Sequence, residues 1–178
     1  MNRDRLTRAR RSWNMSRIRG KDTTPEKAVR TLLHRMGYRF RLNVKIPIQL
    51  RTQEKRKGKP PFVTKYVRPD IVLPKYKTAI FVHGCFWHRH RGCKNCTTPT
   101  HRRDWWLKKL EGNATRDQLY QRELRKLGWK VVVIWECQAA SRIPIQKLET
   151  RIKAALNKAL QTLRLSTVHH RAPQREMN

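Results

Sequence analysis

Asp70-Ile71-Val72-Leu73-Pro74-Lys75-Tyr76-Lys77-Thr78-Ala79-Ile80-Phe81-Val82 is the stretch on which the fold turns. Two short apolar runs, Asp70 to Leu73 and Thr78 to Val82, flank a Pro-Lys-Tyr-Lys turn, so the pattern predicts two strands folded back on one another. Downstream, Trp129 to Trp135 holds three consecutive valines and is the strongest strand signal in the chain. Between them, Trp105 to Leu110 and Ala114 to Leu127 read as two helices, the second closed by Gly128. Upstream, Thr24 is expected to cap a helix with Pro25 at its first position. Val29, Leu32, Leu33 and Met36 give that helix an apolar face, and Gly37 ends it. Tyr38, Phe40, Leu42 and Val44 alternate with polar residues and predict a half-buried strand. Leu148, Ile152, Ala155, Leu156, Ala159 and Leu163 line one face of a final helix. The order helix, three strands, helix, strand, helix predicts an α/β fold, a small mixed β-sheet flanked by helices.

At 178 residues the chain fits a single domain. Residues 1–21 are rich in arginine and lack apolar periodicity, so a flexible basic arm is expected ahead of a folded domain over 22–163. Residues 164–178 read as a loose basic tail. Within the domain a basic insertion spans about 47–67, and Gln49 to Pro61 has the Lys, Arg, Gly and Pro content of an exposed loop or hairpin tip. Lys plus Arg number 43 against 12 Asp plus Glu, a formal charge of +31. A compact domain with that charge repels itself unless a polyanion screens it, which points to nucleic acid. Solubility alone would not demand one sign. No stretch of about 18 apolar residues is present, and the N-terminus carries charge where a signal peptide needs apolar residues. A cytoplasmic protein without membrane contact is expected, with its four cysteines reduced and available to metal.

His83 to Cys93 reads His-Gly-Cys-Phe-Trp-His-Arg-His-Arg-Gly-Cys. Cys85, His90 and Cys93 lie close together, and Cys137 follows the long strand directly after Glu136. With a remote fourth ligand this spacing suits tetrahedral structural Zn²⁺. Cys93-x2-Cys96 is also good zinc spacing, so on the residues alone the fourth ligand stays open between His90 and Cys96.

Acidic residues are scarce, so those near polar clusters carry weight. Asp70 opens a buried strand and could hold Mg²⁺, a hard cation that accepts one or two carboxylates plus water and phosphate oxygens. His83 ends the adjacent strand and His88 returns after Gly84, where imidazoles could move protons at a phosphodiester. The bland alternatives are a turn residue for Asp70 and surface or zinc-binding roles for the histidines. Glu26 lies in the first turn of its helix, where a carboxylate is favoured by the helix dipole whether or not it has a further role. Phe86 and Trp87 sit inside the polar cluster, and Trp105 and Trp106 follow Arg102 and Arg103. Aromatics beside arginines can wedge between base steps, with Phe86 and Trp87 the better pair; one of Trp105 and Trp106 is expected in the core.

Arg68-Pro69-Asp70, Phe81-Val82-His83-Gly84-Cys85-Phe86-Trp87-His88, Thr98-Pro99, Asn113, Arg116-Asp117, Leu127-Gly128-Trp129 and Trp135-Glu136-Cys137 resemble the very-short-patch repair endonucleases. The resemblance runs from about residue 12 to residue 160 and includes Asp22-Thr23 and Glu26. It implies a single domain with a restriction-endonuclease-like core. The implied activity is nicking of double-stranded DNA 5′ to the thymine of a T·G mismatch left by deamination of 5-methylcytosine. By the same resemblance, Asp70 and the Val82 carbonyl would bind Mg²⁺, His83 and His88 would act on water and phosphate, and Glu26 would support them. Phe86, Trp87 and Trp106 would intercalate, while Cys85, His90, Cys93 and Cys137 would hold Zn²⁺, leaving Cys96 out. The segment from about Pro47 to Val67 departs from the short link expected before Pro69-Asp70.

The leading expectation is therefore a Mg²⁺-dependent, zinc-stabilised, strand-nicking mismatch endonuclease, acting as a monomer and in contact with mismatch-repair proteins. A related nicking or homing-type nuclease that needs no mismatch is the enzyme alternative. A zinc-stapled DNA-binding protein is the non-enzyme alternative.

Overall fold

The computed structural model describes residues 7–17, 20–51, 61–139, 146–154 and 156. In chain order the elements are α1 (Arg8–Ser16), α2 (Thr24–Arg35), β1 (Ile46–Arg51), β2 (Phe62–Val67), β3 (Ile71–Leu73), a 3-10 turn (Pro74–Tyr76), β4 (Thr78–His83), α3 (Arg103–Lys126), β5 (Lys130–Trp135) and the short α4 (Glu136–Ala139). Residues 146–154 are also helical. The expected tail, the end of the final helix at Ala159 and Leu163, and the tip of the basic insertion lie outside the described residues.

The central sheet has the order β3-β4-β5. β3 is antiparallel to β4, with Ile71 opposite Ile80 and Leu73 opposite Thr78. Lys77, at a φ of 45°, turns the chain between them. β5 runs parallel to β4, so the connection that carries α3 crosses over and sets His83 opposite Trp135. The sheet is therefore small and mixed, as expected.

The pleat sends alternate side chains to two cores. Ile71, Leu73, Ile80 and Ile134 pack against Val29, Leu32 and Leu33 of α2 and against Leu148, Ile152 and Leu156. Val72 and Ala79 face the other way, onto Ile46, Ile48 and Val67 of the β1–β2 pair and Leu124 of α3. Each fully buried Leu or Ile contributes about 1.5–3 kcal/mol, so both faces of the sheet are committed to packing. What remains free for chemistry is the end of the strands, where β4 runs out at His83.

Several local expectations change. Thr23, not Thr24, caps α2, its side chain accepting from the Glu26 N–H. α2 does end at Gly37, whose φ of 78° allows a Schellman motif: Gly37 N–H to His34 O and Tyr38 N–H to Leu33 O. Tyr38 to Val44 is not a strand. Asn43 has a φ of 56° and breaks the extended run, leaving one bridge between Arg41 and Val72, although Tyr38 and Phe40 still pack on the core. The two helices expected around Gly112 are one, α3, of 24 residues. A mid-helix glycine costs only about 1 kcal/mol, which the anchors Leu110 and Leu124 on either side outweigh. The insertion is an antiparallel ribbon, β1 with β2, leading toward the expected tip. In the basic arm, α1 forms behind a Thr7 cap, with Arg10 and Arg17 lying over the Trp13 ring.

Candidate active site and metal cluster

An open cavity of about 890 Å³ sits at the ends of β3 and β4. Asp70, Val82, His83, His88, Glu26 and Asp117 all border it. Asp70 stands just before β3, and its Oδ2 accepts the Val82 N–H across the antiparallel pair at 2.7 Å. Burial pushes its carboxyl up to about 6; the Val82 hydrogen bond opposes this and nearby Glu26 adds to it. A buried carboxylate beside a second carboxylate fits a hard cation, which would offset both charges.

His83 closes β4 and is 5% exposed. Burial, reinforced by His88, holds its imidazole down at about 4, with Asp117 pulling the other way, so the ring is neutral near pH 7. His88 stacks on it, ring centroids 4.0 Å apart at 11°. The Nδ1 of His88 is paired with Asp117 Oδ2 at 2.5 Å. That fixes the ring and leaves Nε2 for other partners.

Asp117 is the residue that sequence reasoning passed over. It lies in the quoted Arg116-Asp117 pair without an assigned role, on a helix 29 residues beyond its partner. The scarcity of acids and its shared helix face with Asn113 were the available signals. Glu26 combines both of its expected readings. It borders the cavity, yet its carboxylate also accepts from Thr23 Oγ1 at 2.8 Å, from the Asp22 N–H at 3.1 Å and from Arg30 at 2.8 Å. This is a capping arrangement that rigidifies the first turn of α2.

Phe86, Trp87 and Trp106 gather at the rim. The Phe86 ring lies 5.0 Å from Trp87 and 5.5 Å from Trp106, edge to face. Asn113 of α3 donates to the Trp87 carbonyl at 3.2 Å, fixing the loop that carries the pair. Lys109 Nζ lies within 6 Å of the Trp87, Trp105 and Trp106 rings. Neither Trp105 nor Trp106 is in the core: Trp105 is exposed and Trp106 half-buried, because the helix begins at the aromatic rim rather than over the sheet.

Behind the histidines, one donor atom each from Cys85, His90, Cys93 and Cys137 lie within 4.8 Å of one another. His90 Nδ1 is 3.5 Å from Cys85 Sγ and 3.4 Å from Cys137 Sγ. Cys96 is outside this group. Burial pushes the Cys85 thiol up to about 12 and raises that of Cys137, while Cys93 is lowered, chiefly by a backbone hydrogen bond from Asn95. Three sulfurs and one imidazole converging from two distant segments fit a soft or borderline cation, which would displace the thiol protons. His90 stacks on Trp135 at 4.2 Å, and the other side of the network reaches His83, 5.4 Å from the same indole.

Comparison with known proteins places the chain in a family. The family model described as DNA mismatch endonuclease Vsr matches residues 3–95. The type II nicking enzyme V.XorIIP of Xanthomonas oryzae pv. oryzae is 42% identical over 154 residues, covering 86% of this chain and 97% of that one. V.NmeAIP, a type II nicking enzyme of Neisseria meningitidis serogroup A, is 39% identical over 158 residues, 86% of this chain and 99% of that one. The DNA mismatch endonuclease Vsr of Escherichia coli is 35% identical over 136 residues, 76% of this chain and 74% of that one. The polar pocket at the end of β4 thus sits in a chain that belongs to the Vsr family of DNA endonucleases.

Proposed function

We propose that this protein nicks double-stranded DNA 5′ to the T of a T·G mismatch and so begins very-short-patch repair of deaminated 5-methylcytosine. The observation that carries this reading is the grouping of Asp70, His83, His88 and Asp117 in one cavity whose rim is the Phe86–Trp87–Trp106 cluster. Phosphodiester hydrolysis and duplex distortion are thereby served from adjoining surfaces. On this reading the β3–β4–β5 sheet, with the candidate residues at one end, would serve as a restriction-endonuclease-like core.

Asp70, with the Val82 main-chain carbonyl, would hold Mg²⁺, which when bound supplies charge stabilisation at the phosphate. The attacking water forms a bond to phosphorus as the bond to the 3′ oxygen breaks, and the departing 3′ oxygen takes a proton from solvent. His88, oriented by Asp117, is suited to take the water's proton, and the carboxylate stabilises the imidazolium that results. His83, held neutral by burial, offers an N–H to a phosphate oxygen. Glu26 supports the site by locking the first turn of α2 beside Asp70. The three aromatics unstack the mismatched step and bend the duplex, a distortion that costs a few kcal/mol and is cheapest where pairing is already weak. Cys85, His90, Cys93 and Cys137 would hold structural Zn²⁺, and action on DNA in the cytoplasm as a monomer, beside the mismatch-repair proteins, completes the proposal. Among the described residues no helix is long and apolar enough to cross a membrane.

A second reading, nicking at a defined sequence without a mismatch, is favoured by the β1–β2 ribbon, which enlarges the surface available for reading bases. The deciding experiment is Mg²⁺-dependent nicking of an end-labelled duplex with one T·G pair beside its fully paired control. A cut 5′ to the mismatched T alone supports the first reading. Equal cutting of both supports the second, and no cutting in any sequence context would remove both.

A further inference from the structure

The β1–β2 ribbon carries an unusual outer surface. Its register pairs Pro47 with Tyr66, Gln49 with Thr64 and Arg51 with Phe62. By alternation these six residues share one face, and all six are exposed, Tyr66 at 58% and Phe62 at 53%. The opposite face is committed only at its base, where Ile46, Ile48 and Val67 are buried in the second core; further out Val63 and Lys65 are exposed. Phe62 and Tyr66 thus leave more than half of their surface to solvent. Gln49 Nε2 donates to Thr64 Oγ1 at 3.0 Å, so the polar pair between them is held in a fixed geometry.

Three observations say what covers this face. The ribbon is continuous with the cavity of the proposed site, since Tyr66, Val67 and Arg68 line that cavity where the strand enters it. The segment from Pro47 to Val67 carries six Lys or Arg against one Glu, on a chain of net charge +31, so the partner is a polyanion. The shape also fits, because the major groove admits a two-stranded β-ribbon. Six residues at about 3.3 Å each span about 20 Å, roughly six base pairs of duplex.

We propose that the outer face of the β1–β2 ribbon lies in the groove of the substrate duplex beside the nick, with Gln49, Arg51 and Thr64 contacting base edges or phosphates and Phe62 packing on them. This deepens the endonuclease reading and rests on it. The ribbon sets which bases may flank the cut and on which side of the cut the enzyme needs duplex. Tyr66, at the mouth of the cavity, joins that contact to the reacting phosphate.

The test uses the full chain, and replaces exposed residues outside the proposed catalytic set: Gln49→Ala with Phe62→Ala, and separately Arg51→Ala. Binding is read by anisotropy of labelled duplexes without Mg²⁺, using duplexes trimmed on one side of the T·G pair or the other. Nicking is then read with Mg²⁺ on a pool randomised in the flanks. The unaltered protein should lose affinity when one particular side is trimmed. The double variant should bind the untrimmed duplex about tenfold more weakly, the size of one good base contact. It should be indifferent to that trimming, keep kcat within about twofold and show a relaxed flank preference. Unchanged affinity and unchanged trimming dependence in both variants would overturn the proposal. So would conversion of a dimer to a monomer with DNA affinity intact, which would make the face a self-association surface. Because the binding arm needs no cutting, a protein that binds but never nicks defeats the endonuclease reading while the ribbon is still judged by affinity. A protein that binds no duplex defeats both.

Discussion

The carboxylate of Asp70 accepts the Val82 N–H at 2.7 Å, yet its surroundings hold its proton up to about 6. The folded chain therefore carries a carboxylate that it disfavours in the ionised form, which is the state a divalent cation requires. On the proposed reading, stability is given up there for metal affinity.

Asp70→Asn should abolish nicking and stabilise the Mg²⁺-free protein. With a folded value above the unfolded one, the native state binds more protons between roughly pH 4 and pH 6, so Asp70 lowers stability as pH rises through that window. Asn keeps an acceptor for Val82 and does not titrate. Urea unfolding should show the variant ahead by about 1–3 kcal/mol at pH 8 and level with the parent at pH 4. His83, depressed to about 4, works in the opposite direction in both proteins and cancels in the comparison. A variant no more stable at pH 8 than the parent would contradict the burial argument.

Asp117→Asn removes the charge that orients His88 while leaving the shape. The expected result is a kcat lowered about 10²-fold with KM and DNA affinity unchanged, as for a group acting on a proton in the transition state. Asp117→Glu should recover part of the loss. An equal fall in DNA affinity would instead mark Asp117 as a packing residue.

Cys137→Ser and Cys96→Ser separate the cluster from its neighbour. The first should lose one equivalent of zinc by elemental analysis and at least about 3 kcal/mol, a Tm lower by roughly 6–12 °C. The second should keep both zinc and Tm, since Cys96 lies outside the converging group. Zinc retained in Cys137→Ser would reassign the fourth ligand.

Trp87→Ala tests the wedge. With 2-aminopurine placed beside the T·G pair, the parent should give a fluorescence rise on binding that reports unstacking, and the variant should not. Its preference for mismatched over paired duplex should fall about tenfold or more, while the kcat of sites already cut stays closer to the parent's. A full fluorescence response from Trp87→Ala would place the insertion elsewhere.

The sequence made the central sheet readable because β3, β4 and β5 are short apolar runs bounded by a Pro-Lys-Tyr-Lys turn and a Gly-Trp pair. Their periodicity and their burial agree. It was misleading where a local pattern met a tertiary or backbone effect. Tyr38 to Val44 alternates as a strand should, but Asn43 adopts a left-handed conformation and only its aromatics are used. Gly112 looks like a helix boundary, but α3 is anchored on both sides of it. The Cys and His spacing brought the candidate metal group into view but could not by itself choose His90 over Cys96; the resemblance favoured His90, and the structure groups His90 with Cys85, Cys93 and Cys137. Asp70, His83 and His88 were legible because one strand pair and one tight loop join them. Asp117 was not, because its contact depends on how α3 lies across the sheet end.

Trp106, Asn113 and Asp117 come from one uninterrupted helix, at positions seven and eleven residues apart from the first. At 100° per residue these fall within about 20° of one line, and at 1.5 Å per residue they span about 16 Å. On the proposed reading, the intercalating Trp106, the brace on the wedge loop and the clamp on the proton-handling imidazole are stations on a single stiff beam. A base step that seated badly against Trp106 would displace the beam, and the displacement would be felt at His88. On that reading, proofreading of the substrate and alignment of the reacting groups would be one mechanical event, geared through α3.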